Sequence, residues 1–345
     1  MGGSLICNIA DVSFAAAPKL RCPGIAISIA NPVSEYDTSD QMTAARISRL
    51  PDFIAVGPGR TGTTWLHRVL EGQVDLPYGV KETQFFNTFY AKGIDWYAHH
   101  FRYATGERKV AEICPYFIDS QARDRIKTHI PNCKIITTLR NPVDHSYSAY
   151  KLLRHYAWAR GTFEEVLNTR PHLDRGNRYA FYLKGWFDKF GRENVLVTMY
   201  DELRSDPQTY LNRVCDFTGV ERIALAEKGE VSDDVNAYAR APRNRKLAQN
   251  ARHVMWWLKG RQAYGVINLL DRAGVWQFCY GRGEVFPPLT AEQEKMLRER
   301  FRPEVEALED LLKIDLSPWK KPRAPRSEKE IAQPARELKP QPLSR

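Results

Sequence analysis

The sequence predicts a single α/β domain: a parallel β-sheet with helices on both of its faces. Short apolar runs of strand length recur along the chain, and helical patterns lie between them. The first run opens directly into a glycine-rich turn followed by an amphipathic stretch. Strands alternating with helices favour a parallel sheet, because each crossover must travel back over a sheet face.

The first run, Phe53-Ile54-Ala55-Val56-Gly57, has no polar side chain, as in a strand buried on both faces. The helical stretch after it covers about Thr63 to Glu71. Further strands are expected over Val110–Cys114, Lys134–Leu139 and Asn194–Met199, with helices over 119–129, 142–157, 178–190 and 201–217. Thr290 and Gln293 fit a capping box that opens a charged helix over 290–313. These elements place the domain at 53–320. Residues 1–52 show no sustained periodicity and are expected to be a variable, partly disordered leader. The Pro-, Lys- and Arg-rich stretch 321–345 is expected to be a disordered tail.

The composition, 43% hydrophobic and 27% charged over 345 residues, is that of an ordinary globular protein. A net charge of +10 points to an anionic partner: a nucleotide, a sulfated or phosphorylated glycan, an acidic membrane surface or nucleic acid. The cysteines at 7, 22, 114, 133, 215 and 279 form no C-x-x-C pair and stand at no metal-ligand spacing to a His pair. They read as reduced, mostly buried thiols, and no metal site is expected. No apolar run is long enough to cross a bilayer, and no basic segment precedes an apolar one at the N-terminus. Ile6 stands where a myristoylation signal needs Ser or Thr. These features together favour a cytoplasmic protein of bacterial type.

The sharpest local signal is Gly57-Pro58-Gly59-Arg60-Thr61-Gly62-Thr63-Thr64 between the first strand and its helix. Backbone N–H groups of such a turn, with the positive end of the following helix, hold a phosphate. The spacing resembles the nucleotide P-loop, and the sheet is therefore expected to be of P-loop type. One position departs: Thr63 stands where the P-loop carries the Lys that reaches the β- and γ-phosphates. Such a loop is poorly equipped for a triphosphate. Arg60 instead offers a planar cation to a phosphate-like group.

Gly57-Pro-Gly-Arg-Thr-Gly-Thr-Thr-Trp-Leu66 resembles the 5′-phosphosulfate loop of sulfotransferases that use 3′-phosphoadenosine 5′-phosphosulfate (PAPS). Val80-Lys81-Glu82-Thr-Gln-Phe-Phe-Asn87, followed by Lys92-Gly-Ile-Asp-Trp-Tyr97, is similar to the matching stretch of heparan sulfate N-sulfotransferases, and the texture also fits the bacterial branch. Leu139-Arg140-Asn-Pro-Val-Asp-His-Ser-Tyr-Ser148-Ala-Tyr150 resembles the family's 3′-phosphate motif. Leu308 to Trp319 resembles its closing segment. The likeness covers roughly 53–320 in several ordered motifs.

The resemblance implies in-line transfer of a sulfuryl group from PAPS to a hydroxyl or amine of a carbohydrate, glycolipid or small-molecule acceptor. No metal is required, and nucleic acid is not an expected partner. Glu82 is the implied base, since it matches the catalytic glutamate of the glycosaminoglycan branch. Arg60 stands where that branch has Lys. An Arg stabilises developing charge but donates a proton poorly, which leaves Lys81 as the candidate for that task. Thr61, Gly62, Thr63 and Thr64 are implied to hold the 5′-phosphate. Arg140 and Ser148 are implied to hold the 3′-phosphate, and Arg282 in Tyr280-Gly-Arg-Gly is a third contact. Two readings are open for Trp65: packing near adenine, or a core side chain on its helix. Ile113 departs from the glycosaminoglycan branch, which carries Lys there. Glu112 beside it reads as a structural acceptor. His99, His100 and His145 read as surface or packing histidines.

The stretch 237–273 carries Arg240, Arg243, Arg245, Lys246, Arg252, Lys259, Arg261 and Arg272 against Asp271 alone. It reads as a solvated basic helix pair, as an acceptor-binding wall for an anionic glycan, or as a peripheral membrane contact with Trp256, Trp257 and Leu258 dipping in. Together with the late basic loop it forms an acceptor-side region over 237–283. Two rival functions stand beside sulfuryl transfer. A P-loop nucleotide kinase or ATPase would need magnesium, and a non-catalytic anion-binding module would bind glycan or nucleic acid without turnover.

Overall fold

A computed structural model describes residues 49–228 and 240–322. The leader at 1–48, the tail from 323 and residues 237–239 of the basic stretch lie outside the described residues.

The sheet contains β1 (Phe53–Gly57), β2 (Ala111–Ile113), β3 (Lys134–Leu139) and β4 (Val195–Met199). All neighbours are parallel, in the order β2-β1-β3-β4. Helix α1 (Thr63–Leu70) follows β1, and α2 (Ile94–Ala98) lies in the long connection to β2. Helix α3 (Ser120–His129) leads to β3. Then come α4 (Pro142–His155), α5 (Phe163–Thr169), α6 (Pro171–Arg175) and α7 (Tyr179–Phe190) before β4. Beyond β4 lie α8 (Tyr200–Ser205), α9 (Pro207–Thr218) and α10 (Leu225–Lys228). After the undescribed gap, β5 (Arg240–Pro242) pairs antiparallel with β6 (Arg282–Val285) around α11 (Arg245–Gly260), α12 (Tyr264–Arg272) and α13 (Val275–Tyr280). Helices α14 (Ala291–Leu312) and α15 (Ser317–Lys320) close the described chain.

Side chains of β1 alternate between two apolar layers. Ile54 and Val56 pack with Ile126 of α3, Leu183 and Trp186 of α7, and Val305 and Leu308 of α14. Phe53 and Ala55 pack with Leu66 and Val69 of α1, Leu203 of α8, and Leu211 and Val214 of α9. The sheet is therefore covered on both faces, as the uninterrupted apolar run of β1 requires.

Differences from the sequence expectation are local. The expected helix over 201–217 is two helices, because Pro207 starts a new one and Asp206 caps it by accepting from Thr209 N at 3.0 Å. The capping box is present: Gln293 N donates to Thr290 Oγ1 at 3.1 Å, and Thr290 N donates to Gln293 Oε1 at 2.9 Å. The described part of the basic stretch, 240–273, is the short strand β5 followed by a helix pair, α11 and α12. Cys114, Cys133, Cys215 and Cys279 are buried and unpaired. Among the described residues no helix is long and apolar enough to cross a membrane, and no cluster of potential metal ligands occurs.

The strand order creates one special crevice. The chain leaves β1 toward β2 on one side and leaves β3 toward β4 on the other. The carboxyl ends of these adjacent strands thus diverge into a mouth, the usual ligand position in an open parallel sheet.

Candidate active site

Residues 57–62 form the loop at the carboxyl end of β1. Gly57 and Gly62 take φ of 85° and 84°, and the Gly57–Pro58 bond is cis. A Cβ on Gly57 would stand 2.9 Å from Gly59 N and 3.2 Å from Pro115 Cα, and one on Gly62 would run into the Leu203 side chain. Both positions need glycine for space as well as conformation. Arg60 also adopts a left-handed φ of 71°.

The loop's carbonyls are turned outward and held there. Thr137 Oγ1 donates to Gly57 O, and Thr61 Oγ1 donates to Pro58 O at 2.7 Å. His145 Nε2 lies 3.0 Å from Gly59 O, while Arg140 Nη1 donates to Arg60 O at 3.0 Å. Gly62 supplies no side-chain cap to α1, so the helix's first N–H groups face the mouth without one.

Arg140 leaves the end of β3, the second strand of the crevice. Its guanidinium lies 4.4 Å from the centre of the Tyr200 ring. Its Nε is buried and has no hydrogen-bond partner among the described residues. A buried guanidinium N–H without a partner is costly, and an anion in the mouth would satisfy it. Ser148, one side of α4, is buried and accepts from Arg60 Nε at 2.9 Å. Asn141 sets the start of α4 by accepting from Val143 N at 3.0 Å. The structure thus brings Arg60, Arg140 and Ser148 to one place. These donors and the N-terminus of α1 suit anionic groups.

Glu82 and Lys81 reach the same mouth from the loop after α1. Lys81 Nζ donates to Glu82 Oε1 at 3.1 Å, Thr63 Oγ1 at 3.3 Å and Thr64 Oγ1 at 3.0 Å. The cation missing from position 63 is therefore supplied in space by Lys81. Gln84 Nε2 donates to Glu82 Oε2 at 3.1 Å. Burial pushes the Glu82 carboxyl up, but the charges of Lys81 and Lys259, with the Lys81 and Gln84 hydrogen bonds, bring it below its usual range.

Several members of the site were not singled out by the sequence. Lys259, near the end of α11, is pushed down by burial against the pull of Glu82. Its Nζ sits 5.4 Å from the Trp256 ring centre, and Trp256 in turn lies 5.7 Å from Phe89. His67, four residues after Thr63 on α1, is buried and lowered to about 4 by burial and by Lys81. It is a neutral imidazole beside the Lys81–Glu82 pair. Its helical spacing from Thr63 was the available signal. Tyr200 was hidden at the end of β4.

Glu112 is fully buried and does not face the mouth as a second open carboxylate. Oε1 accepts from Thr83 N at 3.1 Å, Thr83 Oγ1 at 2.5 Å and Tyr116 OH at 3.3 Å, and Oε2 accepts from Tyr97 OH at 2.8 Å. It anchors the residue next to Glu82. Burial nevertheless raises its pKa. His145 links Gly59 to Asn177 Oδ1, 2.8 Å away, and His100 lies 2.6 Å from Tyr264 OH. His99 is exposed. Trp65 is a core side chain, 6% exposed, with its ring edge-on to Tyr210 at 5.8 Å. Its packing therefore places it in the layer under the loop rather than as an open stacking face for adenine. Arg282 lies on β6, whose partner β5 packs against α4.

A sulfotransferase domain model matches residues 50–251. The mouse bifunctional heparan sulfate N-deacetylase/N-sulfotransferase 4 is 33% identical over 195 residues, which is 50% of this chain and 22% of that protein. The human N-deacetylase/N-sulfotransferase 3 is 32% identical over 196 residues, with the same shares. This chain thus matches about a fifth of the length of these curated relatives. The crystal structure of a sulfotransferase from Alicyclobacillus acidocaldarius superposes with a TM-score of 0.55 at 24% identity, covering 79% of this chain and 100% of that one, and shows the same fold. With its family model spanning the loop, the segment that carries Lys81 and Glu82, and the Arg140–Ser148 motif, the chain belongs to the sulfotransferase family.

Proposed function

We propose that the protein transfers the sulfuryl group of PAPS to a hydroxyl or amine of a carbohydrate, glycolipid or small-molecule acceptor. The observation that carries this reading is Arg140, whose buried, unpartnered Nε lies beside Arg60 and Ser148 at the mouth between β1 and β3. An anion with phosphates at two ends suits both this cluster and the α1 N-terminus.

In the proposed reaction an acceptor oxygen or nitrogen forms a bond to sulfur while the bond from sulfur to the 5′-phosphate oxygen breaks. The acceptor's proton passes to the Glu82 carboxylate, and 3′-phosphoadenosine 5′-phosphate departs with the bond's electron pair. Glu82 is ionised near neutral pH, because Lys81 and Lys259 hold its pKa down. Lys81, already on Thr63 and Thr64, stands where negative charge grows on the leaving phosphate. Arg60 adds a second, permanently charged donor. The heparan sulfate relatives support a carbohydrate acceptor, with an amine as one option. Ile113, where the glycosaminoglycan branch has Lys, is a departure from that branch and is buried in the core.

Lys81 at Thr63 also puts a cation where an ATP-binding loop has its lysine, so ATP is the control. Calorimetric titration with 3′-phosphoadenosine 5′-phosphate without magnesium, beside ATP with magnesium, tests the proposal. Micromolar binding of the former, weakened about tenfold to a hundredfold in Arg140→Ala, is expected. Preference for magnesium-ATP would overturn it in favour of a kinase. Binding of any polyanion with a steep salt dependence and no turnover would favour a non-catalytic module.

A further inference from the structure

Helices α11, α12 and α13 pack together on a small apolar cluster of their own, built from Ala248, Ala251, Met255, Ile267, Leu270 and Trp276. That cluster accounts for their inward faces. It leaves out a second apolar set on the same helices: Val254 and Trp257 are 48% and 56% exposed on α11, Val266 and Leu269 are 46% and 66% exposed on α12, and Phe278 is 60% exposed on α13. Of the ten large apolar side chains that are exposed among the described residues, five thus fall within 254–278, a concentration that scattered surface residues do not show. Spacing places each set on one helical face. Val254 and Trp257 are three apart, with Arg261 one turn on, and Val266 and Leu269 are likewise three apart.

The charge on these helices has one sign. Arg245, Lys246, Arg261 and Arg272 are exposed against a lone acid, Asp271, while Arg252 is tied to Tyr156 O and Lys259 turns toward Glu82. The Arg261 guanidinium lies 4.2 Å from the Trp257 ring centre, which holds a cation against an exposed aromatic. Apolar side chains that the core does not use, interleaved with cations, suit a surface that is apolar just below a layer of anions.

We propose that the outer face of α11–α13 docks on an anionic lipid bilayer, with Trp257, Leu269 and Phe278 entering the interface and the Arg and Lys side chains meeting lipid phosphates. This differs from the simple sequence pattern at 256–258. Leu258 is buried and Trp256 turns inward toward Phe89, so Trp257 alone of the three points outward. A second copy is the poorer occupant, because a two-fold interface brings a patch against itself and would oppose cations to cations. The C-terminal turn of α11 also carries Lys259 to the neighbourhood of Glu82, so the docking face borders the acceptor side of the mouth.

The test is flotation of the full chain with vesicles of phosphatidylcholine alone and of equal parts phosphatidylcholine and phosphatidylglycerol, without nucleotide. Binding to the anionic vesicles only, weakened by salt, is expected. The Trp257→Glu/Leu269→Glu double variant is expected to partition at least about tenfold less. Its affinity for 3′-phosphoadenosine 5′-phosphate should stay within about twofold, which shows that the fold is intact. No flotation on anionic vesicles, or equal flotation of the double variant, would overturn the proposal. So would self-association that the double variant abolishes while vesicles are not bound. Failure of the sulfotransferase reading would instead appear as no binding of 3′-phosphoadenosine 5′-phosphate by the unsubstituted chain, a result on which flotation does not depend.

Discussion

Glu82 stands between two regions that are built differently. On one side lie the loop at 57–62, Arg140 and Ser148, attached to the ends of β1, β3 and α4. Here the geometry follows from the sheet: glycines with no room for a Cβ, carbonyls tied outward, and an arginine at the divergence of two strands. On the other side lies α11, bringing Lys259 and Trp256 from more than a hundred and fifty residues further along the chain. It is held by aromatic packing against Phe89, by the apolar cluster it shares with α12 and α13, and by the small β5–β6 pair that frames these helices, and not by the parallel sheet. The rigid side suits a fixed cosubstrate and the helical side suits a variable acceptor. If so, changes on the two sides should separate into effects on nucleotide binding and effects on acceptor turnover.

The strongest break in that division comes from the residue between the two regions. Glu82→Gln keeps the hydrogen-bonding shape but cannot take a proton. We expect kcat to fall by about 10²–10⁴-fold, with nucleotide affinity changed by no more than about twofold. Steady-state kinetics beside calorimetry measures both. A large loss of nucleotide affinity would place Glu82 in the cosubstrate's binding surface instead.

Glu112 sharpens the contrast between a base and its support. Glu112→Ala removes the acceptor of Thr83 N, Thr83 Oγ1 and Tyr97 OH inside the core. A stability loss of about 2–3 kcal/mol in denaturant unfolding is expected. Where the variant folds, kcat should drop because Thr83 no longer fixes Glu82. Glu112→Gln, which retains an acceptor, should recover part of both.

How much of this was legible depends on whether a residue's role is local in sequence. Arg140 and Ser148 were singled out through the family resemblance, whereas the loop, β1 and β3 were readable because each rests on a few adjacent residues. The capping box at Thr290 was readable for the same reason. The break at Pro207 was missed where periodicity ran across it. Lys259 and His67 were missed as site members because nothing nearby in sequence marks them: a Lys in a basic stretch looks like its neighbours until the fold sets it beside Glu82. Trp65 was left between two readings by its motif, and it is 6% exposed with its ring edge-on to Tyr210. Within 256–258, helical rotation decided which side chain faces out, and the sequence run could not tell them apart.

The pH dependence compares the two lysines that bracket the base. Glu82 must be ionised to accept a proton, so kcat/KM falls as pH drops through its pKa. That pKa lies below the usual carboxylate value, and the acid limb should lie correspondingly low. Any stability from this ionisation is present above the unfolded-state pKa and is lost as pH falls through the lower folded one. Lys81→Met removes both a charge and a hydrogen bond, leaving burial to raise the pKa, and the acid limb should move to higher pH. A limb that stays in place would show that Lys81 does not tune the base.

Lys259→Met should move the acid limb the same way but by less, because Lys259 acts on Glu82 through charge alone and more weakly than Lys81. The two substitutions should part company on binding. Lys81 touches Thr63 and Thr64, so its loss should weaken nucleotide binding as well. Lys259 lies on the helix of the acceptor side, so its loss should raise the acceptor KM by about twofold to fivefold and leave nucleotide affinity alone. Acceptor kinetics across pH, set beside calorimetry for each variant, reads both effects. Equal losses of nucleotide affinity in the two variants would erase the division of labour, since α11 would then belong to the cosubstrate site. A change confined to the acceptor KM would show that the fold divides recognition at Glu82, with sheet-borne groups holding one substrate and helix-borne groups the other.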